Sequence, residues 1–250
     1  MLSKSEKLWI KSLKDKKIRY IQKEFIAEGS RIVIDLIKSA PDKLKFLCAT
    51  PEWYSNFEPV LIDNNDKIHI ISADILQSVS TLKSTEEVLA IFEIPEFTEV
   101  PYMENQLIIY LDKIRDPGNL GSIIRSADWF GLSQLYCSTD CVDPFNNKCV
   151  QATMSSIMRV QLIIKSWNEM SSTFSSIEKY AATADGQSLY ELNKSAINFI
   201  CIGNEANGLS DEILNQCSKK ISIPSIHSLG AESLNVAVAC SLIMAWKTFG

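Results

Sequence analysis

Residues 112–131, DKIRDPGNLGSIIRSADWFG, decide how this chain is read. Asp116-Pro117-Gly118-Asn119 forms a sharp turn signal, and an amphipathic helical pattern follows it. Leu120, Ile123, Ile124, Ala127 and Phe130 recur at helical spacing and are expected to face a core. Arg125 falls off that stripe, and Gly131 is placed to end the helix. A polar turn delivering Asn119 and Arg125 beside a helix N-terminus reads as a site rather than a connector.

Around this stretch, apolar runs alternate with helical patterns. Strands are expected near 107–111, 134–137, 160–164, 180–183, 198–202 and 220–223. Their near-continuous hydrophobicity suits a parallel sheet covered on both faces. The last helix, near 233–248, is apolar almost all round, so it is expected to be buried, preferably against a second subunit. Upstream, KEFIAEGSRIVIDLIKS reads as one helix with Ile32, Leu36 and Ile37 inward. KLKFLCAT, KIHIIS and EVLAIFEI read as short strands of a small α/β unit. IPEFTEVPYMEN, with two prolines and three glutamates, reads as the linker. The expected division is therefore 1–95, a linker at 96–105, and 106–250.

Composition narrows the function classes. The chain has 250 residues, 46% of them hydrophobic and 22% charged, which is ordinary for a soluble globular protein with a sizeable core. No apolar run reaches membrane-span length, and the basic N-terminus lacks the apolar stretch of a signal peptide. A cytoplasmic protein is expected. Seven scattered cysteines read as buried reduced thiols, and Cys137 and Cys141 have no second pair with which to hold zinc. Two histidines, His69 and His227, argue against His-based triads and multi-His metal sites. No metal is expected.

The net charge of −5 argues against gripping nucleic acid with the whole surface. Its distribution is uneven. Residues 1–31 hold nine Lys/Arg against four acids, a local +5 that leaves −10 for the rest. Such a segment suits contact with phosphates, or equally a solvated helix face.

In open parallel sheets, ligands bind beyond the carboxyl ends of the strands. Three such ends carry polar, glycine-containing loops: 112–119, 203–210 and 224–235. G-x-G-x-x-G and the P-loop pattern are both missing from the sequence. Gly203 and Gly208 permit close backbone approach to a ligand, and Ser210 is placed to cap a following helix. Ser233 sits where a helix-capping role would also explain it.

These loops name a family. DPGNLGSIIRSADWFG, FICIGNEANGLS and IP…AESLNVAVA resemble, in order, the three motifs of the SpoU (TrmH) family of RNA ribose 2′-O-methyltransferases in the SPOUT superfamily. FIAEGSRIV and STLKSTEEVLAIFE are similar to the L30e-like substrate-binding domain that precedes many members. The resemblance implies an α/β fold whose C-terminal SPOUT-type sheet holds a deep trefoil knot, an exception to the unknotted rule. It also implies S-adenosylmethionine as methyl donor and a homodimer. Asn119, Arg125, Glu205, Ser233 and Asn235 match the family's catalytic positions. Gly203, Asn204, Gly208, Ile223 and Leu234 match its cofactor-binding positions. The implied substrate is structured RNA, ribosomal more than transfer RNA; a non-catalytic RNA-binding protein on the same fold is the competing class. Two departures stand out. Ala206 occupies a place where members often carry glycine. Seven residues, SIHSLGA, separate Pro224 from Glu232 where about five are expected, which brings His227 near the site.

Overall fold

The structure is a computed structural model and describes residues 2–61, 66–82, 86–103, 106–226 and 232–249. The chain forms two compact units, Met1–Phe97 with Asp143–Met158, and Thr98–Val142 with Arg159–Gly250.

The first unit begins with helices α1 (Lys4–Ser12) and α2 (Lys16–Gln22). Strand β1 (Glu24–Glu28), helix α3 (Ser30–Ser39), β2 (Leu44–Ala49), α4 (Pro51–Leu61), β3 (Ile68–Ile70), α5 (Ala73–Val79) and β4 (Val88–Glu93) follow. The sheet order is β1-β4-β2-β3, with β4 antiparallel to both β1 and β2, and β3 parallel to β2. Alternation along each strand divides the core into two layers. Phe25, Ala27, Leu47, Ala90 and Phe92 pack with Ile32, Leu36 and Trp53. Ile26, Phe46, Cys48, Leu89 and Ile91 pack on the other face with Ile10, Leu13, Leu76 and Val79.

The expected single helix over 23–39 is therefore a strand followed by a helix. Residues 25–27 are buried on alternating faces, and Gly29 at φ +99 breaks the chain direction before α3 starts. Ile32, Leu36 and Ile37 do face the core.

Residues 143–158, expected within the C-terminal part, pack in this first unit. They form α7 (Asn147–Thr153) and a 3₁₀ turn, Met154–Met158. Phe145, Val150 and Ile157 join the core of Phe25 and Phe92. Asp143 accepts from Arg19 Nε at 3.1 Å and from Tyr20 Oη at 2.9 Å, and Asn147 Nδ2 donates to Glu28 Oε1 at 3.2 Å. Sequence patterning cannot show such a placement, because every partner lies far away along the chain.

The second unit is built on β5 (Ile108–Leu111), α6 (Pro117–Trp129), β6 (Gln134–Cys137), β7 (Gln161–Ile164), α8 (Trp167–Thr173), β8 (Lys179–Ser188), β9 (Phe199–Ile202), α9 (Asp211–Gln216), β10 (Lys219–Ser222) and α10 (Val236–Phe249). All six expected strands are present. They form one sheet, β10-β8-β9-β5-β6-β7, in which every pairing is parallel. Tyr110, Tyr136, Phe199 and Cys201 pack with Trp167, Met170 and Ile213 on one face. Ile109, Leu111, Leu135, Ile200 and Ile202, equally buried, alternate to the other. Helices α6 and α10 pack together, with Ser126 Oγ 2.6 Å from Ser241 Oγ and Phe130 edge-on to Phe249. Helix α10 buries Val236, Ala237, Cys240, Ile243 and Met244 and leaves Val238, Leu242 and Phe249 exposed along its other side. Among the described residues no helix is long and apolar enough to cross a membrane.

Candidate active site

Because the sheet is parallel, the carboxyl ends of β5, β9 and β10 lie along one edge, and β5 and β9 are direct neighbours. Asp112, the first residue beyond β5, is buried, and its Oδ2 accepts from Ser210 N at 2.9 Å. That bond ties the loop after β5 to the loop after β9 and takes up a free N–H at the start of α9. Ser210 occupies the N-cap position, but its own side chain makes no capping bond. The loop after β5 is also held by Lys113 N donating to Ser138 Oγ at 2.9 Å, with Lys113 at φ +55.

Helix α6 starts as the turn signal indicates. Pro117 occupies the first turn, where no N–H is needed, and the N-cap Asp116 accepts from Asn119 N at 2.8 Å. Asn119 then places its side chain at the centre of a polar chain. Asn235 Oδ1 accepts from Ala237 N at 2.9 Å and Val238 N at 3.3 Å, so Asn235 caps α10. This role fixes the Asn235 amide with its NH₂ outward, and Nδ2 donates to Asn119 Oδ1 at 2.9 Å. Asn119 must therefore turn its own Nδ2 away, and it donates to Glu205 Oε1. Each amide sets the orientation of the next, and Glu205 is left as a fixed acceptor.

Glu205 is carried by a tight hairpin. Asn204 and Gly208 exchange backbone bonds at 3.2 and 3.0 Å, while Asn204 Oδ1 accepts from Ala206 N and Asn207 N, both at 2.9 Å. Gly208 takes φ +66, a conformation that suits glycine. Gly203 is required for a different reason: a Cβ there would lie 2.1 Å from the Gly208 carbonyl carbon. Ala206 does not adopt positive φ, so the hairpin closes without a glycine at that position.

The structure thus brings Asn119, Glu205 and Asn235 together. Arg125 does not join them. It lies roughly 9 Å further along α6 and about 240° around it, exposed on the side that also exposes Ser122 and Trp129. Among the described residues Arg125 has no ion-pair partner. Ser233 and Leu234 are exposed just before α10; Asn235, rather than Ser233, does the capping. Ile223 is half-buried beyond β10. His227 and most of the lengthened loop lie outside the described residues. Sequence reasoning missed Asp112, and placed Asp116 in the turn without its capping role. Both follow from position, one as the acid ending a buried strand and the other as the residue before a Pro-initiated helix.

Fold and loops define a parallel α/β protein with a polar site at its strand ends. A model of the SpoU rRNA Methylase family matches residues 106–245, and one of the MRM3-like substrate binding domain matches residues 8–90. The chain belongs to the SpoU rRNA methylase family, as an enzyme whose methylase part follows an MRM3-like substrate-binding domain. It is 25% identical over 237 residues to the Bacillus subtilis 23S rRNA (guanosine(2553)-2′-O)-methyltransferase RlmP, covering 94% of this chain and 92% of that protein. A TrmH-family structure from Porphyromonas gingivalis superposes with a TM-score of 0.78 at 29% identity, covering 98% and 97% of the two chains. The AdoMet complex of the SpoU methyltransferase AviRb from Streptomyces viridochromogenes shares the fold, with a TM-score of 0.82 at 22% identity over 98% and 97% of the chains.

Proposed function

We propose that this protein methylates a ribose 2′-hydroxyl of structured ribosomal RNA, with S-adenosylmethionine as donor, acting in the cytoplasm as a homodimer. Residues 1–95 serve as the L30e-like RNA-binding part, 96–105 as linker, and 106–250, apart from the 143–158 segment that packs in the first unit, as the transferase, knotted as other family members are. The observation that carries the reading is the chain Asn235–Asn119–Glu205 at the joined ends of β5 and β9. The relatives named for rRNA ribose methylation support it.

The residues fit the donor. Gly208 leaves open space beside the hairpin backbone, Gly203 lets the hairpin close, Asn204 holds its turn, and the half-exposed Leu234 next to Asn235 offers apolar surface, with Ile223 beyond β10 as a further apolar contact in this reading. S-adenosylmethionine, when bound, supplies an electrophilic methyl carbon on a sulfonium. The protein must align the ribose oxygen and remove its proton. A guanidinium stays charged, so Arg125 is not the base. It holds the phosphate beside the target ribose and lowers the hydroxyl's pKa electrostatically. Glu205 accepts the proton: Asn119 fixes one carboxylate oxygen, and the other is free to face the substrate.

The homodimer reading rests on the exposed stripe Val238, Leu242 and Phe249 of α10. Arg125 and Asn119 also project from different sides of α6, so a second protomer gives Arg125 a site to complete. Val238→Glu with Leu242→Glu should shift sedimentation from dimer to monomer; a wild-type monomer would refute this part.

Calorimetry with S-adenosylmethionine and transfer of labelled methyl to deproteinised ribosomal RNA test the activity. Binding and transfer to the ribose are expected. Folded protein that binds no S-adenosylmethionine would favour the non-catalytic class, and transfer to transfer RNA alone would replace the substrate.

A further inference from the structure

Two sets of lysines in the first unit contrast, apart from the isolated Lys38 on α3 and Lys148 on α7, which also form no ion pair among the described residues. On the strand side they are neutralised: Lys23 pairs with Glu96, Lys43 with Glu93 at 3.4 Å, and Lys45 with Glu93 at 3.0 Å. On α1 and α2 they are not. Lys4, Lys7, Lys11, Lys16 and Lys17 make no ion pair among the described residues. The nearby acids are already engaged, Glu6 in the capping box of α1, Asp15 as N-cap of α2, and Glu24 with the Trp9 indole. Four of the five lysines are exposed, as is Tyr20, which has the Lys16 ammonium 6.0 Å from its ring centroid.

This surface is held rigidly. Arg19 Nη1 donates to the carbonyls of Leu13 and Lys14, at 2.7 and 2.9 Å, across the turn between the two helices. Its other nitrogens bind the buried Asp143. Ile10 and Leu13 are already committed to the core. Leu8 on α1 and Ile21 on α2 remain exposed, but two separate apolar side chains do not give the hairpin the continuous apolar face that amphipathic membrane helices insert into lipid. What it presents is unneutralised ammonium groups with one aromatic ring among them, complementary to a nucleic-acid backbone with unstacked bases.

We propose that the α1–α2 hairpin is an RNA-docking surface, with Lys4, Lys11, Lys16 and Lys17 contacting phosphates and Tyr20 stacking on a base. This assignment rests on the RNA-methylation reading and names the face that would engage the substrate. Docking there is separate from chemistry, so it should govern affinity for RNA rather than the rate of methyl transfer.

The test measures binding of the full-length protein to deproteinised total ribosomal RNA over a range of salt concentrations. Each phosphate-contacting lysine should add about 1 to the slope of log affinity against log salt. K4Q/K11Q/K16Q/K17Q should lower that slope by about 4, and K16Q/K17Q by about 2. A charge-matched control, K38Q/K219Q, should leave it unchanged. Methyl transfer by the quadruple variant should keep its kcat and raise its KM for RNA. Equal slope loss in the control, or none in the quadruple variant, would overturn the docking surface even if the wild type methylates RNA. So would an unchanged RNA slope accompanied by lost binding to phosphatidylserine-containing vesicles. Wild-type protein that binds this RNA but transfers no methyl would instead refute the activity.

Discussion

Arg19 and Arg125 carry the same guanidinium to opposite ends. Arg19, in the hairpin of the first unit, is sealed in: its side chain and that of Asp143 are each 6% exposed, and its nitrogens are spent on that carboxylate and two backbone carbonyls. Arg125, on α6 of the second unit, is exposed and has no ion-pair partner among the described residues. The first uses its charge to fix the fold. In the function proposed above, the second keeps its charge for a phosphate of the substrate.

The largest expected effect sharpens that contrast. Arg125→Ala should lower kcat on the order of 10³-fold, with S-adenosylmethionine affinity and melting temperature unchanged. Arg125→Lys keeps the charge and loses the planar fork, so it should fall well short of wild-type turnover. Near-full turnover in the lysine variant would break the positioning role.

At the other arginine the sign reverses. Asp143→Asn should leave an uncompensated buried guanidinium and cost about 3 kcal/mol in denaturant unfolding. Replacing both partners with apolar residues of similar size should restore most of the loss. If Asp143→Asn were neutral, the buried pair would not be what holds the hairpin in place.

Smaller effects probe the prepared site. Gly203→Ala forces a Cβ against the Gly208 backbone and should cost about 1–3 kcal/mol, with weakened S-adenosylmethionine binding by calorimetry. Asn119→Ala should slow transfer by roughly 10²-fold, the lower end for a group that supports acid–base chemistry. Asn119→Asp replaces the N–H that Glu205 accepts with a second carboxylate, so it should slow transfer more than Asn119→Ala does. Equal rates in the two variants would remove the Asn119–Glu205 contact from the chemistry.

Much of this was legible in the sequence, and the limits are physical. Period and turn chemistry located all six strands of the parallel sheet and singled out Arg125, because a cation off an apolar stripe is visible in one dimension. Asn119, Glu205 and Asn235 were found through motif resemblance, but their connection was not, since amide orientation depends on three chain segments meeting. Arg19 counted as one more basic residue near the N-terminus; only the fold shows that it is spent on Asp143, 124 positions away. The strand 24–28 was hidden inside an apparent helix because its apolar residues also satisfy a helical period over so short a window.

The activity itself is tested most directly by mapping 2′-O-methylated nucleotides in ribosomal RNA from cells with and without the gene. The unmodified RNA is then treated with purified protein and S-adenosylmethionine. A discrete ribose methylation should vanish on deletion, return with the wild-type protein, and fail to return with Arg125→Ala. An unchanged map together with no transfer to the isolated RNA would contradict the account.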